Sequence, residues 1–233
     1  MPYNDRMIHF YGMLLLLLAA LATAGRFLWD EYRGADGATY RYFFPLTIAL
    51  FVVIAILAPT PVSVYYKAAV LLGLLLTFLG SILGLLPGTP VAVQKAHWLL
   101  AVVLFTTAFA ALHPAKWPTP WLLLLLLYGG GIAWFIAPRL AELQITILVY
   151  GTLLLLMSWQ ALEALVVVGQ GWVLLLFVGA LLLVIADSLQ ALHHFYRALP
   201  MTKMVTPALL LLGQLLLALS IWGPQLGRGF IGF

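Results

Sequence analysis

Apolar residues fill this chain in eight long blocks, and each block is about as long as one membrane crossing. Proline, glycine and charged residues interrupt the blocks, for example at Pro59, Pro87 and Pro138. One crossing by an α-helix takes about 20 apolar residues, and proline and glycine between such blocks mark loops. The pattern therefore predicts eight transmembrane helices, at Met7–Ala24, Tyr42–Leu57, Tyr66–Leu86, Lys95–Leu112, Pro120–Ala137, Ala141–Val168, Gly171–Tyr196 and Val205–Trp222.

The composition fits a chain that is embedded over its whole length. Of the 233 residues, 65% are hydrophobic and 8% are charged, and the mean hydropathy is +1.12. A soluble domain carries about 25% charged residues. A transmembrane β-barrel would need short segments of alternating polarity, but residues 122–127 are an unbroken run of leucines. We therefore predict an all-α integral membrane protein, a polytopic bundle with one transmembrane domain over residues 1–233 and no soluble domain.

The small excess of basic residues fits membrane flanks better than a nucleic-acid site. Eleven Lys and Arg against seven Asp and Glu give a net charge of +4, and in so apolar a chain these residues belong beside the membrane helices. No nucleic-acid partner is expected. The chain has no cysteine, which excludes disulfides, thiolate nucleophiles and zinc-thiolate sites.

The first apolar block has a second interpretation, as a cleaved signal peptide. Ala22, Thr23 and Ala24 resemble a small-residue cleavage site. However, the block exceeds the roughly 7–15 apolar residues usual in a signal peptide, and Arg26 and Arg33 follow it as a stop-transfer flank. We therefore favour a retained transmembrane helix.

The distribution of Lys and Arg predicts the orientation, because cytoplasmic loops carry the excess of these residues. Seven of them lie after helices 1, 3, 5 and 7, and four lie on the other side with both termini. We therefore expect non-cytoplasmic termini in a multi-pass protein of the bacterial inner membrane. The seven are Arg26, Arg33, Arg41, Lys95, Arg139, Arg197 and Lys203.

Asp187 lies clearly inside a predicted spanning segment. It is roughly nine residues from the cytoplasmic end of helix 7, or about 14 Å deep at the rise of an α-helix. An ionisable residue at such a depth costs about 2.5–3.5 kcal/mol on insertion scales, so it is a functional candidate by default.

Other polar residues fall in the same half of the membrane. By the same count Gln214, Tyr150 and Thr77 are level with Asp187, and Ser81 lies one turn nearer the surface. We predict a polar cavity that opens toward the loops after helices 3 and 7. Its shallower members are Thr47, His97 and His194.

Each of these residues also has a purely structural interpretation. Ser and Thr hydroxyls commonly join membrane helices, histidines near a helix end can cap it, and Gln214 could hydrogen-bond to Asp187. Glu163 is a poor second carboxyl, because it lies near the opposite end of helix 6, roughly 15 Å from Asp187 along the axis. His193 and His194 are adjacent and diverge on a helix, so no metal or cofactor is predicted.

Several segments resemble the YhhN-type lysoplasmalogenase family in order and spacing. The main ones are VGALLLVIADSLQALHHFYR, residues 178–197, and GLLLTFLGSILGLLP, which ends at Pro87. Shorter ones are FFPLT before helix 2, AHWLLAVVLF at helix 4, YGTLLLLMSWQALEAL in helix 6 and GQLLLALS in helix 8. The resemblance runs over nearly the whole chain. It implies an eight-helix membrane enzyme that hydrolyses the vinyl-ether bond of lysoplasmalogens, giving a fatty aldehyde and a glycerophospho head group.

The resemblance also implies two intramembrane aspartates, one in a Gly-Asp motif of helix 3 and one in an Asp-Ser motif of helix 7. The second maps onto Asp187 and the first onto Ser81, so a hydroxyl replaces one carboxyl. A lysine common before the helix 2 proline is replaced by Phe44. The tyrosines usual before the helix 8 glutamine appear as Leu210 and Leu211.

Placed on these residues, the family resemblance implies the site of a membrane lipid hydrolase. Vinyl-ether hydrolysis needs an acid that protonates a carbon and a positioned water that attacks the resulting oxocarbenium ion. We expect Asp187 as the acid, Ser81 and His97 as further catalytic residues, and a lysophospholipid or other amphiphile as the ligand. Predicted to bind this ligand are Gln214, Tyr150, Thr77, Thr47, His194, Arg197 and Lys95, the last two near its phosphate.

The missing aspartate leaves a second hypothesis open, a non-catalytic relative that binds a lipid or serves as an accessory subunit of a membrane complex. Homo-oligomers also remain open. A small transporter or proton channel ranks third, because a buried acid can carry a proton but two inverted halves with broken helices are not evident.

Overall fold

Helices account for almost all of the described chain. The structure is a computed structural model that describes residues 3–34, 41–58, 63–113, 119–139, 144–197, 199 and 202–223. These ranges contain eight α-helices, and a short 3-10 helix, Ala137–Arg139, follows the fifth of them. In chain order the α-helices are α1 Tyr3–Tyr32, α2 Phe43–Leu57, α3 Val64–Leu83, α4 Val91–Ala110, α5 Pro120–Ile136, α6 Gln144–Val168, α7 Gly171–Phe195 and α8 Thr202–Ser220.

Five of the described helices are long and apolar enough to cross a membrane. They are α1 over Tyr11–Tyr32, α3, α6 over Ile147–Val168, α7 and α8. The apolar parts of α2, α4 and α5 are shorter, at 10–17 residues. The chain is therefore an all-helical membrane protein, while the number of eight crossings stays a prediction.

The first helix is longer than the sequence predicts. It continues past Ala24 to Tyr32 without a break. Arg26, which is predicted with Arg33 as a stop-transfer flank, forms an ion pair with Asp30, four residues further on, at 2.8 Å between Nε and Oδ2. Because opposite charges at this spacing support a helix, these residues extend α1 instead of ending it. The other helix ends lie within four residues of the predicted ones.

Five helices form a closed ring, in the order α3, α4, α6, α7, α8 and back to α3. The remaining three lie outside this ring. Both α1 and α2 pack on α8, and α2 also packs on α3, while α5 packs on α6 and α7. The interior of the ring is therefore shielded from lipid on most sides, which allows polar side chains to be placed there.

The backbones of α7 and α8 come into direct contact at two glycines. A Cβ atom at Gly179 would lie 2.9 Å from the Gly213 carbonyl oxygen, and a Cβ at Gly213 would lie 2.9 Å from the Gly179 carbonyl oxygen. Small residues at the interface are what allow membrane helices to pack this closely. The contact fixes where the polar residues of these two helices lie relative to each other.

Glycines also set the spacing between α3 and α4. A Cβ atom at Gly73 would collide with the ring of Phe105, and one at Gly80 would lie 3.2 Å from the Cβ of His97. The α3 backbone therefore serves as the surface on which the α4 aromatic side chains lie.

Polar contacts join α2, α3 and α8 at the end of the bundle where α2 ends and α3 begins. The Tyr66 hydroxyl and Ser220 Oγ are hydrogen-bonded at 2.5 Å, and Trp222 Nε1 donates to the Ile54 carbonyl at 2.8 Å. The ammonium of Lys67 donates to two carbonyls at the end of α2, at 2.8 and 2.6 Å. A cation at a helix C-terminus is favoured by the helix dipole, so Lys67 stabilises the end of α2.

The contact between α7 and α8 can be tested with Gly213→Ala. The new methyl group would lie against the Gly179 carbonyl and, at 3.0 Å, against the Leu183 side chain. Overpacking of this kind costs about 1–3 kcal/mol, so the free energy of unfolding in detergent micelles should fall by that amount.

The matched control is Gly151→Ala on α6, where no atom lies within 4 Å of the added Cβ. It should leave stability unchanged or raise it by up to about 1 kcal/mol, because alanine favours the helix. Equal effects of the two substitutions would contradict the close contact.

Candidate active site

The carboxyl group of Asp187 is held by a tyrosine from the neighbouring helix. Asp187 lies on α7 and Tyr150 on α6, and the Tyr150 hydroxyl donates a hydrogen bond to Asp187 Oδ2 at 2.8 Å. A hydrogen bond to an ionised group contributes more than one between neutral groups. The bond orients the carboxyl and leaves Oδ1 with no hydrogen-bond partner among the described residues.

Asp187 and Tyr150 line a small cavity inside the five-helix ring, together with Thr77 of α3 and Gln214 of α8. Its volume is about 10 Å³, close to the minimum of roughly 10–15 Å³ that holds one water molecule. The wall is largely apolar and comes mainly from α4, from Ala101, Val102 and Phe105 among others. Four of the residues that the sequence places at one depth thus meet in one cavity.

Gln214 is fully buried, with a side chain that is 0% exposed. Neither its Nε2 nor its Oε1 has a hydrogen-bond partner among the described residues. The structural alternative in which Gln214 hydrogen-bonds to Asp187 is therefore wrong. Most buried polar side chains are hydrogen-bonded, so the unpartnered amide of Gln214 indicates a position that can bind a ligand.

The two helices bring Gln214 and Asp187 to the same cavity from different depths. Gln214 follows Gly213, which contacts Gly179 of α7, and Gly179 precedes Asp187 by eight residues, or about two turns. Side chains lean toward the N-terminus of their own helix, so on antiparallel helices these two lean toward each other. Leu183, which also lines the cavity, lies between their levels. The sequence count that made them level is therefore wrong by about two turns.

The Thr77 hydroxyl does not donate a hydrogen bond to Gln214. It donates to the Leu74 carbonyl of its own helix at 2.8 Å. The Tyr150 hydroxyl is likewise used by Asp187. The Gln214 amide, which has no hydrogen-bond partner among the described residues, and Asp187 Oδ1 can both contact an occupant, and the Tyr150 and Thr77 oxygens can still accept a hydrogen bond.

Three other predicted site residues lie outside the lining of the cavity. Ser81 Oγ donates to the Phe78 carbonyl at 2.7 Å, and His97 Nδ1 is 2.7 Å from the Val93 carbonyl, so both side chains bond to their own helices. Thr47 is buried between α1 and α2, where its hydroxyl donates to Thr23 Oγ1 at 2.9 Å.

The predicted phosphate-binding residues lie at the exposed helix ends. Lys95, on α4, and Arg197, just after α7, have exposed side chains. His194 is exposed and packs edge-on against Phe195 at 4.7 Å between ring centroids.

The apolar wall is the part of the site that sequence reasoning missed. Trp98, Val102 and Phe105 line the cavity from α4, and their spacing of four and three residues places them on one helix face. That spacing was visible in the sequence, but it is equally typical of a face packed in a core. Trp98 is partly buried, while Phe105 is 1% exposed.

A second buried carboxyl lies elsewhere. Glu163 is 3% exposed and accepts hydrogen bonds from Trp159 Nε1 at 3.0 Å and from the hydroxyl of Thr119. It does not line the cavity. Within the described ranges, no group of three or more His, Asp and Glu side chains is placed to hold a metal ion.

Apolar contacts fill the positions at which the chain departs from the family resemblance. The ring of Phe44, in the place of the lysine, packs on Phe27 of α1 with 5.3 Å between centroids. Leu210 and Leu211, in the place of the tyrosines, are buried.

Comparison with known proteins agrees with the sequence resemblance. The model of the YhhN family matches residues 39–221. Relatives named "Uncharacterized membrane protein YhhN", from Escherichia coli O6:H1, Escherichia coli O157:H7 and Shigella flexneri, are each 29% identical over 212 residues. The aligned part covers 90% of this chain and 100% of each relative. No solved structure matches the chain.

The bond between Tyr150 and Asp187 can be measured with a double-mutant cycle. Tyr150→Phe leaves the partly buried carboxyl without its donor and should lower the free energy of unfolding by about 1–3 kcal/mol. In an Asp187→Leu background the same change should cost much less, because no carboxyl remains. Tyr128→Phe, at an exposed position on α5, is the control and should be neutral. Additive effects of Tyr150→Phe and Asp187→Leu would contradict a significant bond.

Proposed function

The chain belongs to the YhhN family, and from this and the geometry around Asp187 we propose that it is a membrane lipid hydrolase. The reaction is cleavage of the vinyl-ether bond of a lysoplasmalogen, with a fatty aldehyde and a glycerophospho head group as products. The observation that carries the proposal is a single carboxyl, oriented by Tyr150, in a largely apolar cavity inside a ring of membrane helices.

Asp187 supplies the acid and recovers its proton within one cycle. In its protonated form it donates the proton to the vinyl-ether carbon farther from the oxygen, and the electrons of the double bond form the new C–H bond. The carbon next to the oxygen becomes an oxocarbenium ion. Water attacks this carbon and gives a proton back to the Asp187 carboxylate. The resulting hemiacetal breaks its C–O bond to the glycerol, so the aldehyde and the alcohol leave.

The apolar wall of α4 keeps the reacting carbon away from bulk water, while the alkenyl chain, which is far larger than the cavity of about 10 Å³, has to lie outside it. Phe105, Val102 and Ala101 offer no hydrogen bonds to water, so few nucleophiles other than a held water compete for the cation. The head group lies on the side of the exposed cations Lys95, Arg197 and Lys203, where a phosphate finds charge-assisted hydrogen bonds. By the distribution of basic residues, this side faces the cytoplasm.

Ser81 stands at the position where the family resemblance implies the second catalytic aspartate. It lies four residues after Thr77, which lines the cavity, and residues at this spacing share a helix face. An aspartate at position 81 would therefore reach toward the cavity from α3. Two close carboxyls keep one proton between them more readily than a lone carboxyl does, so Ser81→Asp should raise the rate.

A second candidate function is lipid binding without turnover. The observation that favours it is that the Ser81 hydroxyl bonds to the Phe78 carbonyl, so α3 brings no second acid to the cavity. Under this alternative the protein purifies with a bound lysolipid and releases no aldehyde from it.

Aldehyde release from a lysoplasmenyl phospholipid by the purified protein tests the proposed function. We expect release by the parent protein, a loss of at least about a hundredfold in Asp187→Asn, as is usual when a general acid is removed, and a faster rate in Ser81→Asp.

The control for these assays is Glu163→Gln, which changes a buried carboxyl outside the cavity and keeps an oxygen that Trp159 and Thr119 can donate to. It should release aldehyde at the parent rate. Release that persists in Asp187→Asn would refute the assigned acid, and silence from the parent protein and from Ser81→Asp would favour the lipid-binding alternative.

A further inference from the structure

The amide of Gln214 is buried at the cavity with both of its polar atoms unpartnered among the described residues. Burying an amide without hydrogen bonds is strongly unfavourable. Leucine would fill the same space on α8 without that cost. A glutamine at this position is therefore best explained by something that it binds.

The groups that face the cavity define the chemistry of this ligand. Gln214 offers two N–H donors on Nε2 and the acceptor Oε1, and Asp187, whose Oδ2 accepts from Tyr150, offers Oδ1. An O–H group matches this set, because its oxygen accepts from the amide while its hydrogen is donated to an oxygen. Gln214 itself carries no charge, and the walls from α4 are apolar, so the place suits a neutral hydroxyl better than an ion.

We propose that Gln214 is a positioning residue that binds a single O–H group, held between its amide and Asp187. This inference rests on the proposed function, since it makes the bound O–H part of the hydrolase site. The cavity volume of about 10 Å³ admits one oxygen atom and excludes a larger polar group. The O–H group comes either from the attacking water or from the free glycerol hydroxyl of the lysolipid.

Binding measurements separate the hydroxyl of the lipid from water without any turnover. A saturated 1-O-alkyl lysophospholipid cannot be cleaved at a vinyl ether, and its 2-deoxy counterpart lacks the hydroxyl. If the hydroxyl is the ligand, native mass spectrometry should show the parent protein binding the first about tenfold more tightly than the second. This preference should vanish in Gln214→Leu.

Water as the ligand gives a different pattern. The two lipids then bind alike, and a high-resolution crystal structure of the parent protein shows an ordered oxygen within hydrogen-bond distance of Gln214 and Asp187, absent in Gln214→Leu. In the cleavage assay kcat falls about tenfold in Gln214→Leu with KM unchanged, as expected when an interaction made only in the transition state is removed.

The control is Gln160→Leu, which removes an amide of α6 that does not line the cavity and should leave lipid preference and kcat as in the parent. Equal binding of the two lipids together with no ordered oxygen at Gln214 would overturn the inference. A parent protein that releases no aldehyde would instead refute the proposed function, and the binding and crystallographic measurements would still decide the role of Gln214.

Discussion

The backbone contact between α7 and α8 is the constraint on which the site depends. Gly179 and Gly213 bring the two helices so close that any side chain at either position would meet the carbonyl of the other. Asp187 lies two turns along α7 from this contact, and Gln214 lies next to it on α8. Membrane helices gain little from apolar burial against each other, because lipid is equally apolar. Close packing at small residues therefore sets the distance between the two polar side chains, and α6 adds Tyr150 to orient the carboxyl.

The ring arrangement explains how a membrane protein keeps polar groups away from lipid. The helices α3, α4, α6, α7 and α8 enclose the cavity, while α1, α2 and α5 cover parts of the outer surface. The polar contacts divide into two kinds. In the first kind, both partners are hydrogen-bonded to each other and stabilise the bundle, as for Tyr66 with Ser220 and for Lys67 with the carbonyls at the end of α2. Asp187 and Gln214 instead keep unpartnered atoms directed at the cavity, a placement that costs stability and is typical of a site that binds a ligand.

Much of the fold could be predicted from the sequence, because each helix is a long apolar block with proline, glycine or charge at its ends. The end of α1 could not, since Arg26 and Arg33 resemble a stop-transfer flank until the ion pair between Arg26 and Asp30 is seen. Counting depth along each helix grouped Asp187, Tyr150, Thr77 and Gln214, although it misplaced Gln214 by about two turns relative to Asp187. Depth alone says nothing of the direction in which a side chain points. Depth also assigned three other side chains to the cavity, yet they bond to their own helix or to α1: Ser81, His97 and Thr47. The wall of α4 was missed because apolar spacing does not distinguish a cavity lining from a core.

The central claim is that Asp187 delivers a proton to carbon, and isotope labelling tests it most directly. Cleavage of a lysoplasmenyl phospholipid in D2O, with the aldehyde reduced as it forms, should place one deuterium on the carbon next to the aldehyde carbon, as measured by mass spectrometry of the alcohol. The labelled product should disappear in Asp187→Asn. Cleavage in D2O that gives a product with no deuterium on that carbon would contradict proton transfer to the vinyl ether and, with it, the role assigned to Asp187.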